Sequence, residues 1–173
     1  MLIRDARVDD ARRIAEIHVR AWQHGYEGLI PAAVLDGLSI PDRERFWSQC
    51  LRSGAPTVLV SEVDEQVVGW LALGASRDAD AGPSVAEIYA FYVEPAHWRR
   101  GAGRLLWSEA ERRLAALRFE RIALWVLDGN DRGIKFYESV GCTIDPVGVK
   151  VFEQEGTQLR EVRYVRSLPV GER

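Results

Sequence analysis

Apolar residues along this chain alternate between helical and strand-like spacing, and that alternation sets the expected elements. Residues 2 to 6 predict a short first strand. Asp9 is placed to cap a helix running to about Trp22, because Ala11, Ile14, Ala15, Ala21 and Trp22 recur at helical spacing with His18 on the same face. Two short helices follow, one started by Pro31 and ended near Gly37, the other opened by Pro41 and carrying Phe46, Trp47 and Leu51. After Gly54-Ala55-Pro56 the period changes to that of strands. Thr57 to Val63 and Gln66 to Ala75, split by Asp64-Glu65, predict an antiparallel hairpin, and Ser76 to Ser84 a surface loop.

Residues 85 to 93 alternate with Val85, Glu87, Tyr89, Phe91 and Val93 on one side and Ala86, Ile88, Ala90 and Tyr92 on the other. Both sides are largely apolar, which predicts a central strand. Pro95 ends it. Leu106, Ala110, Leu114 and Leu117 then mark a helix of about four turns starting at Gly103, and Arg121 to Leu127 is the next strand. Strand, long helix and strand make a crossover, so these two strands should run parallel. A shorter helix from about Asn130 to Val140 ends at Gly141. Two last strands, roughly Thr143 to Phe152 and Leu159 to Ser167, turn at Glu155-Gly156. The expected fold class is α/β, a mixed sheet with helices on both faces.

Composition narrows the classes. With 173 residues, 47% of them hydrophobic, and 7 prolines, the chain is expected to fold as a single domain over 1–173 with its core at about 2–167. No apolar run approaches the roughly 20 residues of a membrane helix, and Met1 to Arg7 is too charged for a signal peptide, so a cytoplasmic protein away from membranes is expected. Cys50 and Cys142 stand apart in no metal or disulfide spacing, and no metal is required.

A net charge of -3 does not describe a nucleic-acid binder. The local charge is different, for Arg99, Arg100 and Arg104 crowd into His97-Trp98-Arg99-Arg100-Gly101-Ala102-Gly103-Arg104, a stretch without an acid. It falls where a buried strand gives way to a long helix. Free amides and the positive dipole end at a helix start attract anions, glycines let the backbone approach phosphate oxygens, and arginines add charge-assisted bonds. The stretch lacks the Gly-Lys-Ser/Thr ending of a Walker loop and the last glycine of a dinucleotide fingerprint, where Leu106 stands. A solvated Arg-Gly turn is the plainer alternative. The second signal, Asn130 to Cys142, opens after the parallel partner strand, so two loops converge on one crevice.

With both signals in place the sequence resembles the GCN5-related N-acetyltransferase (GNAT) family. The residues that carry the resemblance are Val93-Glu94-Pro95, then Trp98-Arg99-Arg100-Gly101-Ala102-Gly103, and downstream Asn130, Gly133, Phe136-Tyr137-Glu138 and Gly141-Cys142. Trp98 stands where that family usually has Arg or Gln, and Cys142 where it has Phe. The resemblance implies an acyl-CoA N-acyltransferase fold: about seven strands, mostly antiparallel, with two central parallel strands splayed apart. It implies acetyl-CoA as cofactor, with backbone groups of Phe91, Tyr92 and Val93 on the pantetheine, Arg99, Arg100, Gly101, Ala102, Gly103 and Arg104 around the pyrophosphate, and Asn130 as a further contact.

An amine attacking a thioester needs a neutral amine, a stabilised oxyanion and a proton for the leaving thiolate. Tyr137 is the expected donor of that proton. Glu87 is the best-placed carboxylate for a base, with an arginine-paired strand Glu as the alternative reading, and His18, His24, His97 or a water chain as other bases. Trp22, Tyr26, Trp47 and Tyr89 are expected to wall an acceptor pocket, with Phe46 beside them, and Asp78-Ala79-Asp80 could attract a cationic amine. The acceptor is then a small-molecule or peptide amine, including a protein N-terminus. A non-catalytic acyl-CoA sensor and an unrelated nucleotide-binding loop are the competing functions. A monomer or a homodimer paired through the last strands fits equally.

Overall fold

The computed structural model describes residues 1–154 and 156–169; Glu155, half of the expected last turn, lies outside them. The elements in order are β1 (Leu2–Asp5), a 3-10 turn, α1 (Ala11–Gly25), α2 (Ala32–Asp36), α3 (Ile40–Ser53), β2 (Thr57–Val63) and β3 (Gln66–Ala75). Then follow β4 (Val85–Val93), α4 (Ala102–Ala116), β5 (Arg121–Leu127), α5 (Asp131–Ser139), β6 (Thr143–Gln154) and β7 (Thr157–Ser167). Local chemistry sets the ends. Ser39 Oγ accepts the Asp42 amide at 3.3 Å to cap α3, and Gly54 ends that helix at φ 72°. α1 runs one turn past Trp22, to Gly25.

The seven strands form one sheet in the order β1-β2-β3-β4-β5-β7-β6. Every neighbouring pair is antiparallel except β4 and β5, which α4 joins as a crossover. Helices cover both faces. On one face Leu106, Trp107, Ala110 and Leu114 of α4 pack on Leu59, Leu71, Ile122 and Leu124, joined by Phe136, Tyr137 and Val140 from α5 and the residues after it. On the other, Ile14 and Ile17 of α1 and Trp47 of α3 close over Val58, Val60 and Trp70.

The parallel pairing is short. It runs from Val85↔Arg121 to Ile88↔Leu124 and stops, while β4 continues along β3 to Val93 and β5 continues along β7 to Leu127. Between them the sheet opens. A bulge marks the place: Leu73 pairs with Ile88 and Ala72 with Ala90, so Tyr89 is an extra residue. This corrects the simple alternation expected for 85–93. Past the bulge the parity reverses, and Phe91 joins Ala86 and Ile88 on the α4 face, while Ala90 and Tyr92 face α1.

The side chain of Leu106 is fully buried where α4 meets the sheet. Leu106→Ala should cost about 2–5 kcal/mol of stability in chemical denaturation, and a loss below about 1 kcal/mol would show that α4 is not seated on this core.

Candidate active site

The opening between β4 and β5 is the floor of a cavity of about 1040 Å³ whose rim carries the 99–104 turn and the start of α5. That volume is at the upper end of ordinary ligand sites, about 300–1,000 Å³. Along its β4 wall the main chain of Tyr89 to Val93 has lost its β5 partner. Strand amides and carbonyls that turn away from β3 there face the cavity with no ladder to satisfy them.

The 99–104 turn reaches its shape through two left-handed residues, Arg99 at φ 61° and Gly101 at φ 93°. A side chain at Gly101 would meet open space, so φ and the approach of a ligand, not crowding, call for glycine. Among the described residues, no backbone amide from Arg99 to Arg104 donates a hydrogen bond; all lie at the N-terminus of α4. Ala102 is buried, and the turn lines the cavity through Arg99, Gly101, Gly103 and Arg104, not through Arg100 or Ala102. Gly103 lies under Phe136, whose ring is 3.3 Å from where a Cβ would stand. Lys135 and Arg132 from α5 add cations to the wall; both lie within the Asn130–Cys142 signal but are not among the residues that carry the family resemblance.

Trp98 has its own place. Its indole Nε1–H donates to the Val93 carbonyl at 2.7 Å, and the Arg132 guanidinium lies 3.4 Å from its ring centroid. The position that departs from the family pattern thus ties the turn to β4 and holds a cation from α5 over the cavity.

Asn130 Oδ1 accepts the Gly133 amide at 3.1 Å and caps α5 while lining the cavity. Two turns on, Tyr137 reaches the same cavity, its ring 6.5 Å from Phe91 and 6.1 Å from Trp107. Burial, with Tyr92 and Cys142 nearby, raises its phenol well above the ordinary value, so it stays protonated at neutral pH.

Other expectations meet the structure differently. Glu87 is buried with both oxygens engaged: the Arg77 amide donates to one at 2.9 Å and the Arg77 guanidinium to the other at 2.5 Å. It is the arginine-paired strand Glu of the alternative reading, fixing the 76–84 loop to β4. Tyr89 donates its hydroxyl to the Ala75 carbonyl at 2.5 Å beneath Arg77. Trp22 and Tyr26 line cavity walls, but Trp47 does not. Trp47 is packed 4.5 Å from Trp70, with its Nε1 3.5 Å from His18 Nδ1, so the acceptor role expected for it is corrected to core packing. Helical spacing shows that a tryptophan faces inward, not which interior it enters. Phe46 is half exposed.

The histidines divide likewise. His18 stacks on Tyr92 at 4.9 Å, and burial, then Arg43, holds its pKa down at about 3, so it is neutral and enclosed. His24 is bonded to the Arg20 carbonyl, leaving only His97 on the cavity wall. Asp78 and Asp80 are not free for an amine: Asp78 takes Lys150 at 2.9 Å and the Trp125 indole at 3.0 Å, and Asp80 takes Arg163 at 2.7 Å.

A second cavity of about 290 Å³ abuts the first, sharing Tyr26, Ile88, Tyr89, Tyr92 and Trp125 with it. Its remaining wall includes Glu161 of β7, half-buried, whose carboxylate burial raises above its usual value. Sequence reasoning passed over Glu161, because one acid among alternating strand residues carries no signal by itself.

Comparison with known proteins decides what this arrangement belongs to. The model of the acetyltransferase (GNAT) family matches residues 11–142. The chain belongs to that family. Membership makes it an acetyl-CoA-dependent N-acetyltransferase. It is 29% identical over 160 residues to the uncharacterized N-acetyltransferase YuaI of Bacillus subtilis, covering 92% of this chain and 89% of that protein. It is 28% identical to the probable N-acetyltransferase Rv2775 of Mycobacterium tuberculosis, over 98% of this chain and 96% of that one. Among solved structures, that of YncA, a putative acetyltransferase from Salmonella typhimurium with its cofactor acetyl-CoA, superposes with a TM-score of 0.74 at 24% identity, covering 100% of this chain and 95% of that one. The splayed strands expected from the family resemblance are the same feature as the β4–β5 opening. Among the described residues no helix is long and apolar enough to cross a membrane.

If Trp98 anchors the turn for this GNAT chain, Trp98→Phe keeps the ring and loses one hydrogen bond of about 1 kcal/mol, a roughly fivefold weaker coenzyme A Kd by calorimetry. An unchanged Kd would mean that the turn is held without it.

Proposed function

We propose that the chain acts as one N-acetyltransferase domain over 1–173, in the cytoplasm, moving an acetyl group from acetyl-CoA to a primary amine by direct attack within a ternary complex. The observation that carries this is the strand edge vacated at Tyr89 to Val93, opening between the unpaired amides of 99–104 and the protonated Tyr137. The Salmonella relative with acetyl-CoA bound supports the same choice of donor. A cytoplasmic setting agrees with two free cysteines.

The residues fit coenzyme A by their chemistry. Amides of Arg99 to Arg104 and the cations of Arg99, Arg104, Arg132 and Lys135 suit a diphosphate, and the free edge of Phe91, Tyr92 and Val93 suits the amides of a pantetheine arm. Bound there, acetyl-CoA supplies an activated acetyl thioester. The β4 amides are placed to donate to its carbonyl oxygen, and Tyr137 to hold the proton that the departing sulfur requires. Asn130 keeps the α5 turn, and with it Tyr137, in position.

Direct attack is favoured over a covalent acyl-enzyme by the state of the thiols. Burial pushes Cys142 up to about 12 and raises Cys50 as well, so neither provides a thiolate at neutral pH. Two abutting cavities instead let donor and acceptor be held together.

Amine-dependent release of free thiol from acetyl-CoA tests the activity, and binding of the cofactor without release across a broad amine panel would leave a sensor. Gly101→Glu should weaken coenzyme A binding by at least about tenfold, since a carboxylate would stand in the anion cradle; undiminished affinity would remove the cradle from the account. Tyr137→Phe should lower kcat by about 100-fold with the coenzyme A Kd unchanged, and wild-type kcat would place the proton donor elsewhere.

A further inference from the structure

The 290 Å³ cavity holds three acids or bases on its wall besides Glu161, and each is already matched. Arg77 and Glu87 neutralise one another. Lys150 stands opposite Glu161 in the β6–β7 register, but its ammonium is 2.9 Å from Asp78 and 3.7 Å from the Trp125 ring centroid. Glu161 is left over. Among the described residues its carboxylate makes no hydrogen bond or ion pair, though the strand is half-buried there. It shares its cavity wall with Tyr26 and Tyr92, two of the residues where the two cavities meet.

A half-buried carboxylate without a partner costs free energy that a cation entering the cavity removes. The surrounding wall reinforces that preference. Trp22, Tyr26, Tyr92 and Phe152 present aromatic surface, which attracts ammonium groups. No cation on this wall is free to receive a carboxylate, because both are engaged by Glu87 and Asp78. The volume suits a ligand of side-chain size and not a length of peptide strand.

We infer that the acceptor is a small cationic amine lacking a carboxylate, held with its ammonium against Glu161 in the aromatic cavity between β7 and α1. This rests on the acetyltransferase reading above and narrows the acceptor that it left open. Glu161 is a specificity residue: an α-amino acid would bring a carboxylate into a cavity whose one unmatched charge among the described residues is negative.

Matched amines that differ only by that carboxylate test the inference: agmatine against arginine and tyramine against tyrosine, with triglycine amide as a peptide probe. Each is titrated by calorimetry into the full chain, with and without saturating coenzyme A. Agmatine and tyramine should bind at least about tenfold tighter than arginine and tyrosine, and Glu161→Gln should remove most of that advantage while the coenzyme A Kd stays unchanged. Glu161→Asp, which keeps the charge, should restore part of it, and carries the test if the Gln variant does not fold. Equal or tighter binding of the amino acids, tighter binding of the peptide, no binding of any amine, or indifference to both variants would overturn the inference. Failure of coenzyme A itself to bind would instead strike the larger cavity's assignment, which the amine titrations made without it keep separate.

Discussion

A strand in the middle of a sheet owes its burial to paired amides and carbonyls on both edges, and β4 gives up one edge at Tyr89. The rest of the arrangement follows from that. The extra residue at the bulge lets β4 stay with β3 while β5 turns away with β7, so the backbone between them faces a cavity and not a neighbour. Reversed parity past the bulge then sends Phe91 toward α4 and α5, where it meets Phe136 at 5.3 Å, and Tyr92 toward α1. One inserted residue therefore builds both the opening and its two walls.

What closes the opening chemically is supplied by loops at the same end of the sheet. The turn before α4 is bent by Arg99 and Gly101 into a run of unbonded amides, and α5 brings Tyr137 and two cations from the other side. These elements belong to separate stretches of sequence, joined by contacts such as the Trp98 indole on the Val93 carbonyl. Burial then sets the protonation: Tyr137 and both cysteines are held neutral, and His18 is kept from charging. Burial that disfavours charge keeps the phenol protonated and leaves no thiolate able to take an acetyl group.

Much of this could be read from the chain. The crossover, the glycine-broken turn and the Asn130 helix each rest on local patterns of a few residues, and the elements fall within a few residues of the expected ends. The bulge could not be read, because alternation through 85–93 looks regular when both faces are apolar, and only pairing with β3 shows which residue is extra. The acceptor side was the least legible. Trp47 and Trp22 have the same helical signature, yet one packs on Trp70 and the other lines a cavity. Glu87 and Glu161 are both single acids on strands, and what separates them is Arg77 at one and no partner at the other. Such differences come from segments far apart in sequence, which no local pattern records.

The vacated edge of β4 is the claim on which the rest depends, and amide hydrogen exchange followed by mass spectrometry or NMR reads it directly. Added coenzyme A should slow exchange at amides within Tyr89–Val93 and Arg99–Arg104 together, while the β6–β7 hairpin changes little. Protection appearing elsewhere, with both of those segments unaffected, would contradict the account.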